Sequence, residues 1–254
     1  MSARHLAATL GLVLSACASA PGNGERSEVI RRFLPSTVQL RSERSEGVRR
    51  AASGVVLASD HVSARSWILT TRHFLDPAGR QDVYVSVAGR KGRVKAEVSA
   101  VATDIDLAVV EVRGMALAPV KLKEVVRLGD EVWVAAFPWG RQMTVVSGVV
   151  SQLKAEDGET PVEGTIRMVD ASVSYGSSGG GVFDAESGAL VGIVEGYRTA
   201  QISSPGSPER VLQLPVPGET TVIPCRTILD FLAASVLVSM TETVLESYPA
   251  TYAF

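Results

Sequence analysis

Between Glu28 and Pro224 the chain is a succession of short runs rich in β-branched and aromatic residues, each ended by turn residues, and no helical period persists in that span. Runs of this length and spacing favour a β-sandwich or a β-barrel, so the predicted fold class is all-β. The first group of candidate strands is Thr37–Leu40, Gly54–Ala58, Trp67–Thr71, Val83–Val87, Val94–Val101 and Leu107–Val112. A second group follows at Glu131–Phe137, Met143–Ser151, Thr165–Ala171, Gly181–Phe183, Leu190–Gly196, Val211–Leu214 and Thr221–Ile223, with the division near Arg113–Ala118. Lys154–Gly164 and Arg198–Glu209 have the composition of long surface loops, of the kind that border clefts. After Pro224 the pattern changes. Thr227 and Asp230 have capping-box spacing, and Leu229, Leu232, Ala233, Val236, Leu237 and Met240 recur at helical intervals, which predicts a C-terminal helix.

A chain of 254 residues with 46% hydrophobic content can bury a substantial core. Its formal charge of -2 supplies no strong field to attract nucleic acid or an anionic membrane surface, and no nucleic-acid partner is expected. At the N-terminus, Arg4 and His5 precede an apolar run from Leu6 to Ala16 that is too short to span a bilayer but suits an export signal. That run ends in Leu14-Ser15-Ala16-Cys17, which resembles a bacterial lipobox. The competing cleavage after Ala18-Ser19-Ala20 would leave Pro21 behind the cut, a residue that signal peptidase generally rejects. Residues 1–17 are therefore read as signal and lipobox, with Cys17 the lipidation site and residues 18–27 a flexible tether. The expected location is the bacterial cell envelope, facing the periplasm or the exterior, with a membrane held through the lipid. Once Cys17 carries lipid, Cys225 has no partner for an intramolecular disulfide.

Ser178 stands in Gly176-Ser177-Ser178-Gly179-Gly180, where glycines permit a tight turn that exposes a hydroxyl and gathers backbone N–H groups. The same residues fit G-x-S-x-G, the nucleophile elbow of α/β-hydrolases. That fold places its catalytic His after the Ser, and no His follows Ser178. The three histidines are His5, His61 and His73. His5 leaves with the signal, His61 lies in the polar turn Ser59-Asp60-His61, and His73 follows the apolar strand Trp67–Thr71 at its rim. A carboxylate must orient the imidazole. Asp106 opens the strand Leu107-Ala108-Val109-Val110, and Asp104, two residues earlier, is the competing choice.

Several segments, in order, resemble the protease domain of the high-temperature-requirement (HtrA/Deg) branch of trypsin-like serine proteases. They include Pro35-Ser36-Thr37-Val38, Ser53-Gly54-Val55-Val56, Ile68 through His73, Asp106-Leu107-Ala108-Val109, Phe137-Pro138-Trp139-Gly140 and Val146 through Ser151. Asp170-Ala171 leading into Gly176–Gly180, then Val191-Gly192-Ile193 and Ile223-Pro224, complete the match over about Glu28 to Leu232. The resemblance implies two six-stranded antiparallel β-barrels, at residues 28–113 and 114–225, with a C-terminal helix and tail at 226–254. It also implies a Ser-His-Asp triad of Ser178, His73 and Asp106, with the N–H groups of Gly176 and Ser178 binding the oxyanion. By position, Ser172 would lie at the base of the specificity pocket, with Ile193, Val194 and Glu195 on the substrate-binding strand. Such a pocket suits small or medium apolar side chains, and Glu195 is a competing attraction for a basic one.

The sequence departs from the pattern in two places. Ser177 stands where digestive relatives carry the Asp that pairs with a newly cut N-terminus, so no activation by N-terminal cleavage is expected. About 30 residues follow Pro224, too few for the PDZ domain usual in this branch. The implied partner is a protein or peptide substrate, with no cofactor and no metal site. Ser151-Gln152-Leu153-Lys154 has S-x-x-K spacing but lacks the companion motifs of penicillin-binding enzymes. The rival from another class is a non-catalytic or latent peptide-binding module on the same fold.

Overall fold

The structure, a computed structural model, describes residues 23–235 apart from 45, 46, 48, 77–80, 156, 157, 159, 160, 205 and 206. Cys17, tether residues 18–22 and the predicted helical positions Val236, Leu237 and Met240 lie outside the described residues. Strands β1 (Thr37–Glu43), β2 (Arg49–Asp60), β3 (Arg65–Thr70), β4 (Asp82–Val87), β5 (Val94–Val101) and β6 (Ala108–Arg113) close a first barrel in the order β1-β2-β3-β6-β5-β4. A two-stranded pair joins β7 (Val126–Arg127) to β10 (Glu163–Gly164). The second barrel contains β8 (Glu131–Ala136), β9 (Thr144–Leu153), β11 (Ile166–Val169), β12 (Gly181–Asp184), β13 (Leu190–Ser204) and β14 (Ser207–Pro224), in the order β11-β14-β13-β12-β8-β9. All the strand pairs of both barrels are antiparallel. The all-β class and the two six-stranded barrels agree with the sequence reading.

Strand alternation explains the consecutive apolar residues Trp67–Leu69 of β3 and Ala108–Val110 of β6. Successive side chains point to opposite faces, and here both faces are covered. Ile68 and Val110 enter the core of the first barrel, whereas their neighbours Leu69 and Val109 enter a separate core between the barrels. The second barrel repeats this, with Val194 in its own core and Ile193 in the shared one. The shared core is what fixes one barrel against the other, and it also takes residues from two helices.

Helix α1 (Asn23–Phe33) packs Val29 and Phe33, one turn apart on one face, into that shared core. Phe33 stacks on Phe183 with ring centroids 4.1 Å apart. The segment 18–27 expected as a flexible tether is thus helical from Asn23, and the first barrel strand begins at Thr37, where the first candidate strand was placed. Helix α2 (Cys225–Ala234) buries Cys225, Ile228 and Leu232 in the same core. Its N-cap is Pro224, without a side-chain cap, so Thr227 and Asp230 do not form the predicted capping box. No helix among the described residues is long and apolar enough to cross a membrane.

Arg198–Glu209, expected as a loop, lies largely within the β13–β14 hairpin, which pairs from Gly192↔Pro224 out to Ser204↔Ser207. Pro215 sits in β14 beyond Thr220 and Thr221, which pair with β11. A ribbon with a free edge tolerates proline because that edge needs no donor, which is why loop-like composition here accompanies extended pairing.

Candidate active site

His73 is carried on a 3-10 turn, Arg72–Leu75, directly after β3. Buried Phe74 and Leu75 anchor that turn in the first barrel and leave the imidazole half-exposed. Asp106 precedes β6, with fully buried Leu107 behind it. Strands β3 and β6 are hydrogen-bonded neighbours, with Thr70 opposite Ala108, so both residues emerge from adjacent strand ends. The carboxylate of Asp106 grips the histidine twice. Oδ1 accepts the His73 backbone N–H at 2.8 Å, and Oδ2 lies 2.6 Å from Nδ1. An ionised carboxylate only accepts, so Nδ1 donates and a neutral ring keeps its lone pair on Nε2. Asp104 is exposed and has no such contact, and His61 is exposed in the β2–β3 turn.

Ser178 lies in the loop between β11 and β12, which is tied to the first barrel through Ser53 of β2. The Ser53 N–H donates to Ser178 O at 2.8 Å, and Ser53 Oγ donates to Gly176 O and accepts from the Phe137 N–H, both at 2.8 Å. Ser53 is fully buried, and Thr70 Oγ1 donates to its carbonyl at 2.9 Å. Gly179 shows how close the barrels come. A Cβ there would stand 2.2 Å from Ser53 O and 3.1 Å from Thr70 Cα, at a φ of +79°. The loop bearing Ser178 therefore touches the end of the strand that leads to His73. No hydrogen bond joins His73 to Ser178 among the described residues; such contacts are often long before substrate arrives.

Ser177 is buried, its N–H donating to Ser174 O at 3.0 Å. Gly176, at φ +89°, is the third residue of that turn, the geometry of a type II turn. Neither the Gly176 nor the Ser178 N–H donates to another described residue, which leaves two neighbouring donors available for an incoming oxygen.

Ser172 is exposed beside a cavity of about 280 Å³ walled by Val134, Ala136, Val146 and Val173. Ile193 and Val194 do not reach this cavity: both are fully buried, pointing into the shared and second-barrel cores, and only Glu195 is exposed. Val194 acts through its backbone instead, exchanging hydrogen bonds of 2.8 Å with Gly179 N–H and Gly180 O. Cys225 is buried and unpaired, its thiol donating to Leu190 O at 3.0 Å, and burial pushes its pKa far up. Such a thiol is inert as a nucleophile. No group of three or more His, Cys, Asp or Glu side chains among the described residues is arranged to hold a metal.

The roles of the arginines around the site are not signalled by the motifs that point to the triad. Arg72 donates to Ala102 O and Thr103 O at 3.2 and 2.6 Å, tying the Asp106 turn to the His73 turn. Arg50 donates to His73 O at 3.0 Å. All these acceptors are backbone carbonyls, for which a sequence carries no signal.

Residues 52–193 match the family described as trypsin-like peptidase domain. Among curated proteins, the chain is 30% identical over 171 residues to a probable periplasmic serine protease do/HhoA-like of Haemophilus influenzae, covering 65% of this chain and 34% of that protein. It is 28% identical over 177 residues to a probable periplasmic serine endoprotease DegP-like of Hahella chejuensis, covering 68% and 35%. The chain thus spans about a third of the length of these relatives. Among solved structures, a serine endoprotease from Yersinia pestis superposes with a TM-score of 0.63 at 21% identity, covering 88% of this chain and 68% of that one. An HtrA-type protease AlgW with a tripeptide superposes at 0.62 and 23%, covering 86% and 64%. These two likenesses establish a shared fold.

Proposed function

The chain belongs to the trypsin-like peptidase domain family, and from that premise we propose that it is a serine endopeptidase acting through Ser178, His73 and Asp106. The observation that carries this reading is the two-point grip of Asp106 on His73, which fixes the imidazole with Nε2 as its free base. In the proposed reaction Ser178 Oγ attacks the scissile carbonyl carbon while Nε2 takes the hydroxyl proton. Negative charge moves to the carbonyl oxygen, where the N–H groups of Gly176 and Ser178 stabilise it. The protonated ring then gives its proton to the departing amine, leaving an acyl-enzyme. Water, deprotonated by the same nitrogen, releases the acid and restores the serine.

Ser178→Ala is the direct test. In trypsin-like and subtilisin-like enzymes, loss of a triad member costs on the order of 10⁴ to 10⁶ in turnover, and a fall of that size in casein or peptide cleavage is expected, with the fold retained. Undiminished cleavage rejects the assignment. A second reading, a latent or non-catalytic peptide-binding module, draws on the missing hydrogen bond between His73 and Ser178. Covalent labelling by a fluorophosphonate separates the two, since a folded chain that stays unlabelled favours the module.

The curated relatives carry periplasmic names, and we propose that this chain is likewise exported and held in the envelope by lipid on Cys17. Mass spectrometry of the mature N-terminus tests this: an acylated Cys17 supports it, and a free N-terminus at any other residue rejects it.

A further inference from the structure

The proposed oxyanion site depends on the orientation of one peptide unit, Tyr175–Gly176. A trans peptide points its C=O and N–H in opposite directions. Type I and type II turns can share the same end residues while their central peptides differ by a flip. With Gly176 at φ +89° and Ser177 N–H closing the turn on Ser174 O, the central peptide is in the type II sense. Its carbonyl is taken by Trp139 N–H at 2.7 Å, which turns the Gly176 N–H away from Trp139. A flip to type I would break that bond and swap the carbonyl for the N–H on the open side, abolishing the donor.

Trp139 holds this peptide from an unusual backbone conformation. Its φ and ψ are 57° and 18°, a left-handed setting that a bulky residue rarely adopts. Such conformations persist where surrounding contacts over-determine them, and here the contacts come from the other barrel. Arg41 Nη2 of β1 donates to Gly140 O at 2.8 Å, and Gln39 Nε2 donates to Arg141 O at 2.9 Å. The two side chains brace each other, Arg41 Nε donating to Gln39 Oε1 at 3.1 Å. Behind them, Gly140 is pressed so closely on β2 that a Cβ there would stand 2.6 Å from Ala51 Cβ.

We infer that Arg41 and Gln39 of the first barrel are positioning residues for the oxyanion site of the second, acting through the left-handed turn at Trp139 and its hydrogen bond to Tyr175. Among the described residues, neither hydrogen-bonds to His73, Asp106 or Ser178. The inference rests on the protease reading, because it concerns the oxygen-binding donor of that reaction. It assigns the N–H orientation to contacts inside the chain, with no effector required.

The experiment uses the exported full chain with Arg41→Met, Gln39→Leu and the conservative Arg41→Lys. If the braces are lost and the peptide flips in most molecules, the competent fraction sets the rate. Turnover by Arg41→Met is then expected to fall about 10-fold with KM within twofold of the parent, because substrate contacts are intact. Affinity for a peptide boronate, whose tetrahedral adduct needs the same donors, should fall by the same factor as kcat/KM. Arg41→Lys should recover part of both, and the melting temperature of all three should stay near the parent's. Unchanged turnover in Arg41→Met and Gln39→Leu overturns the inference. So does a loss of turnover in step with KM and melting temperature while boronate affinity per folded molecule is unchanged. A parent chain that neither cleaves peptide nor takes the fluorophosphonate removes the protease reading itself, and the inference with it.

Discussion

At the level of single residues, the strongest statement in the structure is which carboxylate serves His73. Two aspartates two positions apart were open to the sequence, and alternation alone allows both to project to one side. Asp106 makes both contacts to His73, at 2.8 and 2.6 Å, whereas Asp104 is exposed. Asp106→Asn keeps the shape but exchanges one acceptor for an amide, which favours the wrong ring tautomer. A loss of about 10⁴ in kcat is expected, as for the equivalent change in related enzymes; Asp104→Asn should stay within about threefold, since surface changes seldom propagate. Peptide hydrolysis at neutral pH reads both, and equal losses would remove Asp106 from the proposed triad. The residues proposed for chemistry were legible because catalysis demands particular side chains. Ser53, Arg41, Arg72 and Trp139 were not, because they act on or through backbone atoms, and a buried serine reads the same whether it staples two barrels or fills a strand. Of the residues proposed for the substrate-binding strand, Ile193 and Val194 are adjacent and point to opposite faces, both of them core, so only their backbone is offered at the surface.

Among the elements, what the sequence conveyed tracks how many faces each one buries. Strands β3 and β6, covered on both sides, announce themselves through apolar runs, and their predicted limits fall within two residues of those observed. Helix α1 commits two residues, Val29 and Phe33, to the buried core. Two positions do not make a period, and the Ala, Pro and Gly that precede it suggest a tether. The β13–β14 hairpin was obscured for another reason. Its outer part pairs only with itself, so no alternation is imposed by a core, and prolines are tolerated along the free edge of β14. Loop-like composition and strand geometry are compatible wherever a ribbon leaves the body of a sheet.

For the molecule as a whole, the decisive feature is that the proposed triad is divided between two barrels, so its geometry is no better than their docking. The crossing segment is fastened to both. Val120 N–H donates to Val56 O at 3.0 Å in the first barrel, and Lys123 N–H donates to Leu190 O at 2.7 Å in the second. At the second attachment Lys123 Nζ also meets Asp184 Oδ2 at 2.6 Å, with the Asp184 side chain 7% exposed. Burial raises the pKa of that carboxyl, but hydrogen bonds from Lys123 and Ser187 outweigh it and hold the group below the usual carboxylate range. A carboxyl with a folded pKa below its unfolded value stabilises the fold fully above the unfolded value, near pH 4, and loses that contribution as the pH falls through the folded one. Asp184→Asn should therefore be less stable than the parent at pH 7, by urea midpoint, and the gap should close as the pH is lowered from 5 towards 3. A gap that persists unchanged across that range would mean that Asp184 supports the junction by shape rather than by charge.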